Sequence, residues 1–366
     1  MSAENGHLML GAAVSLSGRN AAQGLLARAG LQQAVVDARS AGGVVLGGES
    51  VVPDVVILDD ESTRAGVRRS LDALAAADLI VGPYGSDLVR EAARWASERE
   101  RVLWNHGGSA DDVERSPGVV SVASPASRYL AAVLEALAGR VKEGRVLLAV
   151  GRGRFGEAAA SGAREAAARL GISTVGVLAH DEVPDAPAAE VLLAAGSFDE
   201  DVTLLRRLRV PPPVIGVVAG GMGGFAGALG PRAEGVLAPS QWEEGVHYAV
   251  DVGPRQAEVV RALRARVVPK LRTGVGSGHV DYLSAQAYAI VLVALRCVED
   301  AGSLDDEALL LAAQRLRCTT FFGRFGLDPD GRQRDHHVLV VQWRAGVKRL
   351  VWPPGVAENE LSTSLG

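Results

Sequence analysis

The stretch His7–Gly43, HLMLGAAVSLSGRNAAQGLLARAGLQQAVVDARSAGG, contains one complete unit of the fold. An apolar run, His7–Val14, gives way to a small polar loop, Ser15–Asn20, and then to an Ala/Leu-rich segment, Ala21–Arg39, with helical spacing. Gly42 and Gly43 follow, where a helix stops on a residue that tolerates positive φ. The same order recurs downstream. Strands are expected at Val55–Leu58, Asp78–Gly82 and Arg101–Asn105, with helices at Ser62–Ala76 and about Asp87–Glu98. Strands alternating with helices imply parallel βαβ units and a sheet covered on both faces.

The pattern restarts at Arg145–Val150, with a loop at Gly151–Phe155 and a helix at about Gly156–Leu170 that stops at Gly171. Further strands are expected at Thr174–Leu178, Glu190–Ala194, Val214–Val218 and Gly235–Ala238. Two doubly wound halves follow from this, the first ending near Val122 and the second beginning near Ser124. After Tyr248 the pattern changes to helices at Pro254–Leu271, Asp281–Ala301 and Leu304–Arg317, then Cys318–Phe325, a turn at Asp328–Gly331 and a strand at His337–Trp343. Trp352–Gly366, with Pro353 and Pro354, reads as a mobile tail.

The chain has 366 residues, 48% of them hydrophobic and 22% charged, with 44 glycines. That is the balance of a globular chain with material for real cores, neither disordered nor collagen-like. Apolar runs such as Val146–Val150 and Ala287–Leu295 are too short or interrupted to span a bilayer. The net charge of −5 is spread along the chain without a basic stripe, which argues against a nucleic-acid partner. Cys297 and Cys318 are too few for a disulfide scaffold and form no CxxC pair. They are either one bridge or two buried thiols, the latter being the favoured reading. Residues 1–7 show no signal peptide, so the chain is either a trimmed form or cytoplasmic.

Gly151-Arg152-Gly153-Arg154-Phe155-Gly156 fits G-x-G-x-x-G between a strand and a helix, the context of a dinucleotide site. The acid that would hold a ribose about 20 residues on is missing, since Asp181 lies too far along, and a tight loop at the sheet edge is the simpler reading. No nucleophile elbow or H-E-x-x-H occurs, and His336-His337 would point to opposite strand faces. The expectation is therefore no metal, no cofactor and no catalysis. Loops at the carboxyl ends of strands are where doubly wound sheets bind ligands. Three are small and polar: Ser15–Gly18, Gly82–Asp87 with Tyr84 and Ser86, and Asn105–Ser109 with His106 and Gly108. Ser86 sits where it could N-cap the next helix or offer its hydroxyl to a carboxylate.

His7–Gly43, Gly82–Asp87, Trp104–Ala110, Gly235–Trp242 (GVLAPSQW), Asp281–Ala289 (DYLSAQAYA) and Thr319–Gly331 (TTFFGRFGLDPDG) together resemble, in order, the branched-chain amino acid ABC transporter substrate-binding proteins. The resemblance implies the α/β type I periplasmic binding protein fold: two doubly wound, Rossmann-like lobes joined by three crossovers, with a small ligand enclosed as the lobes close. The crossovers would fall near Val122, Tyr248 and Phe322. That makes lobe 1 residues 1–122 and 249–322, lobe 2 residues 123–248 and 323–352, and 353–366 a tail.

Carried over by position, Ser86 would bind the ligand carboxylate, Gly108 would offer backbone groups, and Ser109 would contact carboxylate and ammonium. Tyr84 and His106 share those loops. Phe155, Ser197 or Phe198, and Ala219 would come from the second lobe. The family's second-lobe acid for the ligand ammonium has no counterpart in Val217–Met222. Either another acid such as Asp199 or Glu243 serves, or the ligand is an amide or a simple carboxylate. Trp104 and His106 mark a specialised pocket, or Trp104 is core. The implied partners are a small solute and an ABC permease, with an extracytoplasmic location; the alternatives are a cytoplasmic ligand sensor on the same fold and a dinucleotide-dependent enzyme.

Overall fold

In the computed structural model, residues 6–141, 145–266 and 279–363 are described. The quoted opening folds as read: β1 (His7–Val14) is followed by α1 (Ala21–Ser40). A short strand β2 (Val44–Leu46) then turns through Gly47-Gly48 into β3 (Glu49–Asp59), longer than the expected Val55–Leu58. Pro53 had masked its first half. The series continues with α2 (Arg64–Ala73), β4 (Leu79–Val81), α3 (Ser86–Ser97), β5 (Leu103–Asn105), α4 (Asp111–Glu114) and β6 (Val119–Ser121). The six strands form one sheet in the order β2-β3-β1-β4-β5-β6, parallel except for β2 against β3.

The next stretch holds α5 (Tyr129–Ala136), β7 (Val146–Val150), α6 (Arg154–Leu170), β8 (Thr174–Ala179), β9 (Val191–Ala195), α7 (Phe198–Arg207), β10 (Val214–Val217), α8 (Phe225–Leu229) and β11 (Leu237–Ser240). Then come α9 (Gln256–Arg266), α10 (Tyr282–Ala301), α11 (Asp306–Arg315), the hairpin β12 (Cys318–Thr320) and β13 (Gly323–Phe325), and a second hairpin, β14 (Leu339–Arg344) and β15 (Val347–Trp352). The end of the helix expected at Pro254–Leu271 lies outside the described residues. The second sheet runs β15-β14-β11-β10-β9-β7-β8, with β7 to β11 parallel and the β14–β15 hairpin antiparallel on its flank.

The described residues divide into two compact units: 6–124, 247–266 and 280–337 in the first, and 125–141, 145–246, 279 and 338–363 in the second. The last change of unit falls between His337 and Val338, beyond the Phe322 position expected. The β12–β13 pairing and the stacking of Phe322 on His336 hold this stretch in the first unit. The expected mobile tail is also corrected. Trp352 ends a strand, Leu361 is only 7% exposed, and the Ser362 backbone exchanges two hydrogen bonds with the Gln342 side chain.

The first unit's core is built on α1 against α10. Gly30 of α1 lies so close to α10 that a Cβ there would sit 2.1 Å from the Ser284 carbonyl oxygen. Ser284 Oγ donates to the Leu26 carbonyl and Tyr288 Oη to Asp37, locking the pair. At 20 residues α10 is long and apolar enough to cross a membrane, more than the interrupted runs suggested, but 89% of its most apolar stretch is buried inside the fold. Gly30→Ala should lower stability by about 1–3 kcal/mol, because two helix backbones would have to separate. This should hold although alanine is worth about 1 kcal/mol over glycine in an isolated helix. A urea midpoint at or above wild type would refute the close packing.

Cys297 and Cys318 are free, buried thiols, and burial raises both pKa values, that of Cys318 to about 12.

Candidate functional site

In the first unit the strand order reverses at β1, which has β3 on one side and β4 on the other. The carboxyl ends of β1 and β4 therefore diverge into loops that leave a crevice, the usual ligand position in such sheets. Gly85, with φ of 94°, occupies the N-cap of α3, a conformation glycine adopts without strain. That corrects the expectation for Ser86. It is the first helical residue, not the cap, and its Oγ instead accepts the Ala110 backbone N–H at 3.0 Å. This bond joins the loop after β4 to the loop after β5. Tyr84 bridges to Gly107, and the Gly85 N–H donates to the Gly107 carbonyl at 3.0 Å.

The residue that shapes the second loop is Asn105, which the sequence reading left without a role. Its Nδ2 donates to the Gly108 carbonyl at 2.6 Å and to Ser121 Oγ at 2.7 Å, and its Oδ1 accepts the Gly107 and Gly108 N–H groups. Gly108 was expected to offer its backbone groups outward. Both are engaged by Asn105, and its lack of a side chain serves packing, since a Cβ would lie 2.6 Å from Val89 of α3. Ser109 is buried beside this knot. Five expected residues, Tyr84, Ser86, His106, Gly108 and Ser109, thus gather on two joined loops at the amino end of α3, where free N–H groups favour an anion. Arg90 does not add charge to this site, because Asp87 and Asp112 hold it.

His106 is 1% exposed, and burial pushes its imidazole down to about 4, so the ring is neutral. The imidazole has the Gly82 backbone as its hydrogen-bond contact, and the indole nitrogen of the fully buried Trp104 has no partner among the described residues.

The second unit has its own reversal, at β7 between β8 and β9. Gly151 packs backbone to backbone there: a Cβ would lie 2.6 Å from Gly196 Cα, and its N–H donates to the Ala195 carbonyl. Gly153 is the N-cap of α6, with φ of 95°, so Phe155 lies in the first helical turn and not in a loop. Its ring meets Tyr129 edge-on, 5.6 Å between centroids. Glu200 accepts the Arg152 and Ser197 N–H groups. Burial opposes its ionisation, but these bonds outweigh it and hold the carboxyl below the usual range. A carboxylate of the chain itself thus takes up a loop N–H that a pyrophosphate would need, which supports the tight-loop reading of the glycine motif.

Ser197 is the N-cap of α7 in a reciprocal capping box with Glu200, and Phe198 is the first residue of that helix. Ala219 donates its N–H to Asp201 Oδ2 at 2.9 Å. Asp201, which sequence reasoning missed, is fully buried and its Oδ1 lies 2.8 Å from His180 Nε2. Of the acids suggested for a ligand ammonium, Glu243 is paired with Lys348 at 2.6 Å and Asp199 is exposed. Among the described residues, no group of three or more His, Cys, Asp or Glu side chains could hold a metal ion.

Two doubly wound units, each with its switch-point loops rich in small polar residues and capped helices, define a type I periplasmic binding fold. The chain belongs to the periplasmic binding protein family, whose model matches residues 8–348. Solved structures agree in fold. A leucine binding protein from Thermotoga maritima has a TM-score of 0.76 at 16% identity, covering 94% of this chain and 97% of its own. A branched-chain amino acid transporter substrate binding protein from Streptococcus pneumoniae, in complex with isoleucine, has 0.75 at 17%, covering 98% and 99%. An ABC transporter solute binding protein from Rhodopseudomonas palustris, in complex with 3,4-dihydroxy benzoic acid, has 0.74 at 14%, covering 94% and 95%. Among curated proteins none matches the chain. The family model and these neighbours are all described as binding proteins.

Proposed function

We propose that the chain is the extracytoplasmic solute-binding component of an ABC transporter, delivering a small carboxylate-bearing solute to a permease. The observation that carries this reading is the pair of joined loops in the first unit, where Ser86 and Ser109 lie at the amino end of α3. A serine hydroxyl and helix-terminal N–H groups suit a carboxylate. The solved neighbours, holding isoleucine or a dihydroxybenzoate, make an amino acid, an amide or an aromatic acid the classes to test. The pairing of Glu243 with Lys348, and of Asp201 with His180 and Ala219, favours a ligand without an ammonium group. An unpaired buried ammonium costs several kcal/mol.

A thermal-shift screen of amino acids, their amides, and aliphatic and aromatic carboxylates tests the reading. A ligand at about 100 times its dissociation constant should add about 2.7 kcal/mol. No shift with any of them would remove it. Ser109→Ala should weaken binding of the best ligand by about 1–3 kcal/mol, the consequence of leaving a buried polar group unmatched. Calorimetric titration giving the wild-type affinity would take Ser109 out of the site.

A further inference from the structure

Of the three small polar loops at strand ends in the first unit, the one after β1 stands outside the joined pair, and it is held rigidly. Asp59 accepts the Leu16 and Ser17 N–H groups, and Ser15 Oγ donates to Asp60 at 2.6 Å. Ser62 Oγ donates to the Ser17 carbonyl and accepts the Asn20 N–H. Glu61 and Ser62, at the turn that frames the loop, hold positive φ of 54° and 55°, which non-glycine residues keep only where their surroundings impose it. The Asn20 side chain is left unspent. It occupies the N-cap of α1, where asparagine is among the residues that best close a helix. Yet its carboxamide makes no cap bond and no other hydrogen bond among the described residues. Its Nδ2, and not its Oδ1, comes within 4 Å of the amino end of α3, standing 3.7 Å from where a Cβ on Gly85 would be. Neither side of this approach is sealed, since Asn20 is partly exposed and Ser86 keeps 9% of its surface.

We infer that Asn20 is a further solute-binding residue, whose carboxamide N–H donates to the same solute carboxylate that Ser86 meets. The inference rests on the solute-binding reading above and deepens it, adding the loop after β1 to the two joined loops. An ionised carboxylate only accepts, at two oxygens, so one can face Ser86 and the other Asn20. A donor on a loop already fixed by Asp59, Asp60 and Ser62 is ordered before the solute arrives, which spares the cost of ordering it on binding. Arg19, one residue back, is exposed and makes no ion pair among the described residues. Its charge draws anions toward the loop without choosing among them, whereas Asn20 reads the hydrogen-bonding sense of the group that arrives.

The test is calorimetric titration of the purified full chain with paired probes that differ in one polar group: benzoate and benzamide, and 4-methylpentanoate and 4-methylpentanamide. Asn20→Ala should weaken the carboxylate that binds by about tenfold, the loss of one hydrogen bond to a charged group. Its urea midpoint should equal that of wild type, because no cap bond is lost. Asn20→Asp keeps the size and the capping ability but turns the donor into a carboxylate, so the preference for carboxylate over amide should fall by at least about tenfold. Wild type gives a readout that no variant's folding can spoil. The side-chain amide resonances of Asn20, identified by their absence in Asn20→Asp, should shift when the carboxylate binds. A carboxylate bound with those resonances unmoved, a preference unchanged in Asn20→Asp, or a lowered urea midpoint in Asn20→Ala would overturn the inference while solute binding stands. So would a loss of affinity carried by Arg19→Gln and by neither Asn20 variant, since the loop would then act by charge alone. Silence from all four probes would overturn the carboxylate reading and the inference with it.

Discussion

Asn105→Ala should destabilise the first unit by at least about 3 kcal/mol and abolish measurable solute binding, since each buried polar group left unpaired costs about 1–3 kcal/mol. One side chain here satisfies the Gly108 N–H and carbonyl, the Gly107 N–H and Ser121 Oγ. Alanine supplies none of these bonds, and the site is too enclosed for water to replace them without rearrangement. The loop would then lose the shape that places Ala110 against Ser86. Asn105→Asp separates geometry from mere polarity: it keeps the acceptor and loses both donors, so it should fall between wild type and alanine. Urea unfolding and calorimetric titration on the same samples read both effects. An alanine variant within about 1 kcal/mol of wild type would show that the loop holds its shape by packing alone.

His180→Ala should lower stability by about 3–5 kcal/mol, the range for removing one member of a buried charge pair. Asp201 is fully buried, and without the imidazole its carboxylate keeps, among the described residues, the Ala219 N–H. Burial works against the charged imidazole, but the hydrogen bond and charge of Asp201 outweigh it and raise the pKa above the ordinary 6.5. A raised folded-state value means that the protonated form is favoured in the fold. The contribution is therefore complete below the unfolded value and is lost as pH climbs through the folded one. The protein should thus lose stability on going from pH 6 to pH 9, and His180→Gln, which cannot charge, should lose less over the same interval. Equal losses in wild type and glutamine variant would show that the pair does not titrate in this window.

The alternation of strand and helix was legible from His7 onward, because hydrophobic period and glycine stops are local signals. The glycines at 171 and 302 sit in left-handed C-caps as their places in the sequence suggest. What stayed hidden depends on chain segments that meet only in three dimensions. Helix α7 ends at Leu208 without a glycine stop, and most of β15 stays unassigned in the sequence until β14 supplies its partner. The loops of the site were found by their small polar composition, but their wiring was not. Ser86 looks like a helix cap, and only Gly85 in front of it frees the hydroxyl for Ala110. Asn105 is one polar residue among several, and its four bonds exist only once the loop has folded back. His180 and Asp201 lie 21 positions apart and are brought together by the order of β8, β7 and β9 in the sheet.

The hairpin partner β2 pairs only with Glu49–Val51, so β3 from Val52 to Asp59 runs along the margin of its sheet with β1 on one side. Val52 and Val56 are about 40% exposed on it, as apolar as a strand seeking company would be. Three successive residues spoil it as a template. Pro53 has no N–H, its carbonyl is taken by Arg39 Nε at 2.6 Å, and the Asp54 carboxylate accepts the next N–H, that of Val55, while pairing with Arg39. A passing strand meets a gap where its ladder should start. Along this margin the first sheet therefore resists pairing with a strand from another chain.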